Sequence, residues 1–202
     1  MKILIVKYLP SGEKSNTVKL LEHFKSQIKS HTIEEIDLIK TPPMFHNTWS
    51  MEAYKHRNFG GEAISASLAA AIKPMDKLAE QFVAADLVVL VTPMHNFSLP
   101  GIVKTYFDSV MQSKITFKYE GDKQIGLMGK SKFLTLYTSM GSYMGTYGFM
   151  DNLKTIVKIE LDFMGFKEYE FVHAATGMKT TYDSQIEKAK ESITRIVKKW
   201  MI

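Results

Sequence analysis

Residues able to do chemistry gather in three short stretches of this chain. The first is Tyr8-Leu9-Pro10-Ser11-Gly12-Glu13-Lys14-Ser15-Asn16-Thr17, which sets hydroxyls, an amide and a lysine ahead of an amphipathic run. Such residues either cap a helix N-terminus or, with the backbone N–H groups and helix dipole found there, cradle a phosphate. The second is the turn Pro93-Met94-His95-Asn96-Phe97-Ser98, polar and aromatic, directly after an apolar run. The third, Ser139-Met140-Gly141-Ser142-Tyr143-Met144-Gly145-Thr146-Tyr147-Gly148, interleaves three glycines with hydroxyls and aromatics. It is either a flexible connector or a loop whose backbone comes close to a ligand.

What could bring the three together is their place after strands. Leu87-Val88-Val89-Leu90-Val91 is continuously apolar, the pattern of a strand covered on both faces of a parallel sheet. Ile3-Leu4-Ile5-Val6 reads the same way, and Phe133 to Thr138 is a further strand. His31 to Leu38, with Ile33, Ile36 and Leu38, and Phe166 to Ala174 complete five. Between them run helical patterns: Val18, Leu21, Phe24 and Ile28; Leu68, Ile72, Met75, Leu78 and Phe82, over about Ser65 to Val83. Ile102, Val103, Tyr106, Phe107, Val110 and Met111 follow Pro100, a residue suited to a helix start. Leu153, Ile156, Val157, Leu161 and Met164 are closed by Gly165, a suitable C-cap. The last helix begins near Thr181 and carries Ile186, Ala189, Ile193, Ile196, Val197 and Trp200. Pro74 is expected to bend or restart its helix.

This alternation implies an α/β fold, a doubly wound five-stranded parallel sheet of flavodoxin type with helices on both faces. Ligands collect outside the carboxyl ends of such strands, where the three loops converge. An extended arm, Lys114 to Asp122, follows the fourth helical segment and alternates with period two. Its Phe117 and Tyr119 share a side, for stacking on something flat or for packing on the body. Thr41 to Trp49 breaks regular structure and is open between a lid, a subunit contact and core cover. Met51 to Gly61 is weakly helical, His46 and His56 read as surface histidines rather than metal ligands, and His173 reads as structural.

Composition narrows the function classes. The 202 residues are 45% hydrophobic and 23% charged, most economically a single domain over 1–202. There are no cysteines, which excludes disulfides and thiol nucleophiles. The apolar start at Ile3 is too short for a signal peptide and no later run reaches the length of a membrane span, so a soluble, cytoplasmic protein without membrane association is expected. A net charge of +5 comes without any long basic block, which argues against nucleic acid. Gly129-Lys130-Ser131 fails as a P-loop because Gln124 stands where glycine is required and a strand follows. No G-x-G-x-x-G occurs in the first β-turn-α unit, so a dinucleotide-binding Rossmann site is not expected. No Ser-His-Asp set, carboxylate pair or metal cluster is visible, so no catalytic side chain and no metal is assigned. A phosphate cradle beside an aromatic-lined slot points instead to a cofactor that performs the reaction, and FMN fits.

With these motifs in view, the chain resembles the FMN-dependent NADH-azoreductases, which also reduce quinones. The likeness rests on Ser15-Asn16-Thr17, Pro93-Met94-His95-Asn96-Phe97, Tyr106-Phe107-Asp108, Thr116-Phe117-Lys118-Tyr119, Thr138-Ser139-Met140-Gly141 and Phe163-Met164-Gly165-Phe166. It implies a homodimer with FMN as cofactor, NADH as donor and a quinone or azo compound as substrate, by ping-pong hydride transfer. It also implies that Ser15, Asn16 and Thr17 hold the phosphate and that Pro93, Met94, His95, Asn96 and Phe97 line the ring. Ser139, Gly141 and Ser142 would bind the pyrimidine end, and Tyr119 and Phe163 would wall the substrate slot, Tyr119 reaching into the partner's site. Leu9, His95 and Met140 depart from the family's serine, tyrosine and arginine. The competing expectation is a flavodoxin-like electron carrier without its own substrate; carriers tend to be acidic, and this chain is basic. A receiver-type regulatory domain would need acids where Lys7 and Tyr8 stand.

Overall fold

The computed structural model describes residues 1–28, 30–60, 63–143, 145–178, 181–200 and 202. Gly61, at the end of the weakly helical stretch, and Met144, inside the third loop, lie outside the described residues.

Five strands form a parallel sheet: β1 (Lys2–Lys7), β2 (Thr32–Asp37), β3 (Leu87–Pro93), β6 (Lys132–Ser139) and β7 (Glu168–Ala175), in the order β2-β1-β3-β6-β7. Two further short strands, β4 (Phe117–Glu120) and β5 (Lys123–Gly126), pair antiparallel. The helices are α1 (Asn16–Gln27), α2 (Thr48–Lys55), α3 (Ala66–Val83), α4 (Gly101–Val110), α5 (Asn152–Met164) and α6 (Tyr182–Trp200). The strand order reverses between β1 and β3, so a crevice opens at their carboxyl ends.

Continuous apolar strands are explained by two cores. Ile3, Ile5, Leu87, Val89, Val91, Leu134 and Leu136 face α1 and α6, while Leu4, Val6, Val88, Leu90, Phe133 and Tyr137 face the side of α3, α4 and α5. Every second residue thus enters a different core, as the pleat demands. The edge strands β2 and β7 are less buried, and on β2 Ile33 is exposed although it fits the apolar pattern. Val18 is likewise only half-buried, and Leu20 takes the inner position on α1.

The structure also sharpens or changes four other expectations. α3 runs through Pro74 as one helix, because Pro74 sits on the exposed side, where water can satisfy the Ala70 carbonyl that loses its partner. The arm after α4 is the β4–β5 hairpin, turned by Gly121 at φ +61° with Asp122. The segment around α2 covers a core edge: Ala53 packs with Ile72 and Met75 of α3, and Met44 and Tyr54 close over them. Its outer side leaves Phe45, Trp49 and Phe59 exposed. His46 is half-buried, edge-on to Tyr54 at 6.0 Å, rather than a surface residue.

Between α4 and α5 lies a buried acid. Glu160 is 7% exposed, its Oε2 has no partner, and its other oxygen is 3.4 Å from Lys104, which also pairs with Asp108. Burial pushes its carboxyl from 4.5 up to about 7, and the Lys104 ammonium pulls back only part of that. The folded state therefore holds more protons than the unfolded chain between these values. Stability from this group is complete below about 4.5 and is lost as pH rises through 7. Glu160→Gln is expected to stabilise the protein at pH 8 by about 1–3 kcal/mol and to change little at pH 4, read from urea midpoints at both pH values.

Candidate cofactor site

All three loops do meet at the carboxyl ends of β1, β3 and β6. One cavity of about 270 Å³ is bordered by Pro10, Ser11, Lys14, Ser15, Asn16, Pro93, Met94, His95, Thr138, Ser139, Met140 and Thr176. A second recess of about 480 Å³ adjoins it, bordered by Met94, His95, Asn96, Phe97, Ser139, Met140 and Tyr143. They share Met94, His95, Ser139 and Met140, so they are two parts of one crevice. The first part has a lysine, hydroxyls and a helix N-terminus; the second has aromatic and thioether walls.

At the first part, a short 3-10 turn (Gly12–Lys14) brings the chain into α1. Ser15 stands at the N-cap position in extended conformation, yet its side chain makes no capping bond. The capping explanation for this hydroxyl therefore fails, and it faces the cavity beside Lys14 and Asn16. Thr17 does not border the cavity: its side chain is fully buried, and its hydroxyl pairs with that of Thr138 at 2.7 Å. That bond ties the start of α1 to the end of β6.

The second part is built on strain. His95 and Ser98 exchange both backbone hydrogen bonds, at 3.0 and 2.9 Å, around Asn96 and Phe97, whose φ angles are +44° and +66°. Two left-handed residues in succession make a type I′ turn, which asparagine tolerates and phenylalanine adopts at a cost of about 1–2 kcal/mol. The Phe97 carbonyl is held by the Asn152 N–H at 3.0 Å, and its ring meets Tyr143 edge-on at 5.9 Å. His95 is exposed and packs edge-on against Tyr8 at 5.6 Å. Strain of this kind concentrates at ligand sites.

Behind the crevice is a polar stack that the sequence did not reveal. Tyr137 donates to Asp151 at 2.5 Å, and its ring lies on His173 at 4.5 Å with an interplanar angle of 14°. His173 Nε2 meets the Ser139 hydroxyl at 2.6 Å, and that hydroxyl donates to the Gly141 carbonyl at 2.6 Å. Ser139 can therefore only accept from His173, which fixes the N–H on Nε2. Burial holds the His173 imidazole below its usual value, with Asp151 pulling the other way, and burial first and then Asp151 push the Tyr137 phenol up. His173 is structural, as expected, but what it supports is the site. Gly141 and Ser142 lie on the loop beside the crevice without bordering either part, and Ser142 is exposed.

Phe163 and Tyr119 are not brought to the crevice within one chain. Phe163 packs on Phe117 at 4.8 Å, and Phe117 on Tyr119 at 5.9 Å, at the far end of α5. The N-terminus of α5 is the end that touches Phe97, and its 13 residues span about 20 Å. Tyr143, part of the third stretch, borders the second recess, while Thr138 and Thr176 border the first and were not among the residues the sequence reading assigned to it. Thr138 could have been found as the last residue of an apolar strand, but Thr176 follows β7 and has no local signal. Among the described residues no group of three or more His, Cys, Asp or Glu could hold a metal ion, and no helix is long and apolar enough to cross a membrane.

A doubly wound parallel sheet with a crevice at the β1/β3 switch point, polar at one end and aromatic at the other, is the architecture of the flavodoxin class. The family model described as flavodoxin-like fold matches residues 1–198, and the chain belongs to that family. Its relatives include an FMN-dependent NADH:quinone oxidoreductase of Nostoc sp., 30% identical over 98% of this chain and 99% of that protein. An FMN-dependent NADH:quinone oxidoreductase 3 of Bacillus anthracis is 31% identical over 85% of this chain and 80% of its own length. Among solved structures, an azoreductase from Bacillus anthracis str. Sterne superposes with a TM-score of 0.87 at 25% identity, covering 98% of this chain and 99% of that one. An FMN-dependent NADH-azoreductase from Bacillus anthracis str. Ames Ancestor, solved in complex with FMN, gives 0.84 at 25% identity over 96% and 98%.

Proposed function

We propose that this chain is an FMN-dependent NADH:quinone oxidoreductase and azoreductase, a cytoplasmic homodimer with one domain over residues 1–202. The observation that carries the proposal is the single crevice formed by the loops after β1, β3 and β6, polar and cationic at one end and aromatic at the other. FMN, when bound, supplies the redox chemistry, taking a hydride from NADH and passing two electrons to a quinone or an azo bond.

The residues present fit it. Ser15, Asn16 and the first N–H groups of α1, with Lys14, would hold the phosphate. Pro93 to Phe97 would form one wall of the ring slot, the left-handed turn presenting the Phe97 side chain. Ser139, fixed by His173, would hold the Gly141-Ser142 loop at the pyrimidine end. Tyr119, 51% exposed, and Phe163 would complete the slot from a second copy, since their own chain keeps them at its far edge. No side chain is asked to act as nucleophile; the protein orients both substrates and excludes water.

Anaerobic addition of NADH to the FMN-loaded protein should bleach the flavin directly, and a quinone or azo dye should restore it. Reduction only through a second protein would make it an electron carrier, and failure to take up FMN would end the proposal. Ser15→Ala is expected to raise the FMN dissociation constant tenfold or more, the loss of about one charge-assisted hydrogen bond. Because Ser15 makes no capping bond, the unfolding temperature without FMN should stay within a degree or two of the parent, measured by circular dichroism.

A further inference from the structure

Asn16 borders the polar end of the crevice with a carboxamide that can turn either its oxygen or its NH₂ toward an anion. The oxygen would repel a phosphate; the NH₂ would donate to it. Its choice is made 166 residues away in sequence. Tyr182, the first residue of α6, donates its phenol proton to Asn16 Oδ1 at 2.6 Å. Lys19, one turn along α1 from Asn16, donates to the same phenol oxygen at 2.6 Å, with its ammonium 4.7 Å from the ring centre.

The order of donors in this chain is forced. An ammonium can only donate, so it occupies a lone pair of the phenol oxygen and leaves the phenol proton for Asn16. Asn16 Oδ1 is thereby engaged on the side of α6, and its NH₂ is left for the crevice. The Lys19 charge also polarises the phenol toward Asn16, as linked hydrogen bonds do.

Resting on the FMN reading above, we propose that Tyr182 and Lys19 are positioning residues for the phosphate group, and that they set the preference of this site for phosphorylated over unphosphorylated flavin. They act through Asn16 and need not touch the ligand. Tyr182→Phe keeps the ring and its packing but removes the proton that holds Oδ1, so the carboxamide can turn over. Lys19→Met removes the ammonium and leaves the phenol, which should give the same selective effect at smaller size.

The test is a fluorescence titration of the flavin-free full chain with FMN and, separately, with riboflavin, for the parent and both variants. The parent should bind FMN more tightly than riboflavin. Tyr182→Phe should weaken FMN about tenfold, corresponding to about 1.4 kcal/mol, and leave riboflavin unchanged; Lys19→Met should weaken FMN a fewfold with riboflavin again unchanged. Equal weakening of both ligands, or no weakening of FMN, would overturn the inference. A parent with no preference for FMN would instead overturn the phosphate assignment itself, so the two failures are told apart. Circular dichroism of each variant identifies any loss of fold, and the Lys19→Met titration then decides alone.

Discussion

Gly126→Ala is expected to lower stability by about 3 kcal/mol and to release the β4–β5 hairpin from the body. A Cβ at this position would lie 2.3 Å from the Gly165 nitrogen and 2.4 Å from the Gly165 Cα and the Met164 carbonyl carbon. All three are backbone atoms, so no side-chain rotation relieves the clash. Gly165 faces it as the left-handed C-cap of α5 at φ +84°, and a Cβ there would in turn meet Gly126 Cα at 2.8 Å. Two glycines thus let the hairpin cross the end of α5, where the Met128 N–H caps the Met164 carbonyl at 2.9 Å and the Gln124 amide caps that of Phe163. The consequence for function follows from the position of Tyr119 on this hairpin. Under the proposed function, FMN binding should survive in Gly126→Ala, because the crevice is on the opposite edge, while NADH:quinone turnover should fall. Urea unfolding, FMN titration and a turnover assay on the same variant separate these effects. An unchanged urea midpoint would mean that the close approach is not made.

Asp151→Ala is expected to cost about 2–4 kcal/mol, the sum of a lost helix cap and a buried phenol left without its acceptor. Asp151 is 8% exposed and accepts from the Lys154 N–H at 2.9 Å with one oxygen and from Tyr137 with the other. In a chain of this size the loss should lower the unfolding temperature by on the order of 10 °C. Asp151→Asn keeps an oxygen for the cap, so it should fall between the parent and alanine. The damage should also spread to the crevice, because Tyr137 is the surface on which His173 lies, and His173 holds Ser139. Weaker FMN binding at a temperature where Asp151→Ala is still folded would report that link. A variant that loses stability but binds FMN as tightly as the parent would show that the stack carries load without shaping the site.

The sequence by itself determined the layers and the edge on which the three loops meet. Continuous runs such as Ile3 to Val6 and Leu87 to Val91 can be satisfied only where helices cover both faces of a sheet. Helical spacing on α3 to α6 supplied those helices, and Gly165 marked the end of α5 through a conformation that other residues resist. These are local properties, repeated every two or about four residues, and so they are visible in the order of the chain. The loops after β1, β3 and β6 then had to share an edge, because parallel strands all point the same way.

Only the tertiary structure decided what each polar group in those loops does. Thr17 and Ser15 are both hydroxyl residues at one helix start, yet one is buried against Thr138 and the other borders the crevice. Asn16 is oriented by Tyr182, and Ser139 by His173, across separations of 166 and 34 residues. The hairpin had a signal in its Gly121-Asp122 turn, but its docking on Gly165 did not. Hydrogen bonds and close contacts between distant segments depend on which atoms the packed sheet places within about 3 Å, and no periodicity along the chain encodes that. Phe163 and Tyr119 show the same limit at larger scale. Their motifs are grouped with the three loops in the sequence reading, while the folded chain packs them on Phe117 at the far end of α5.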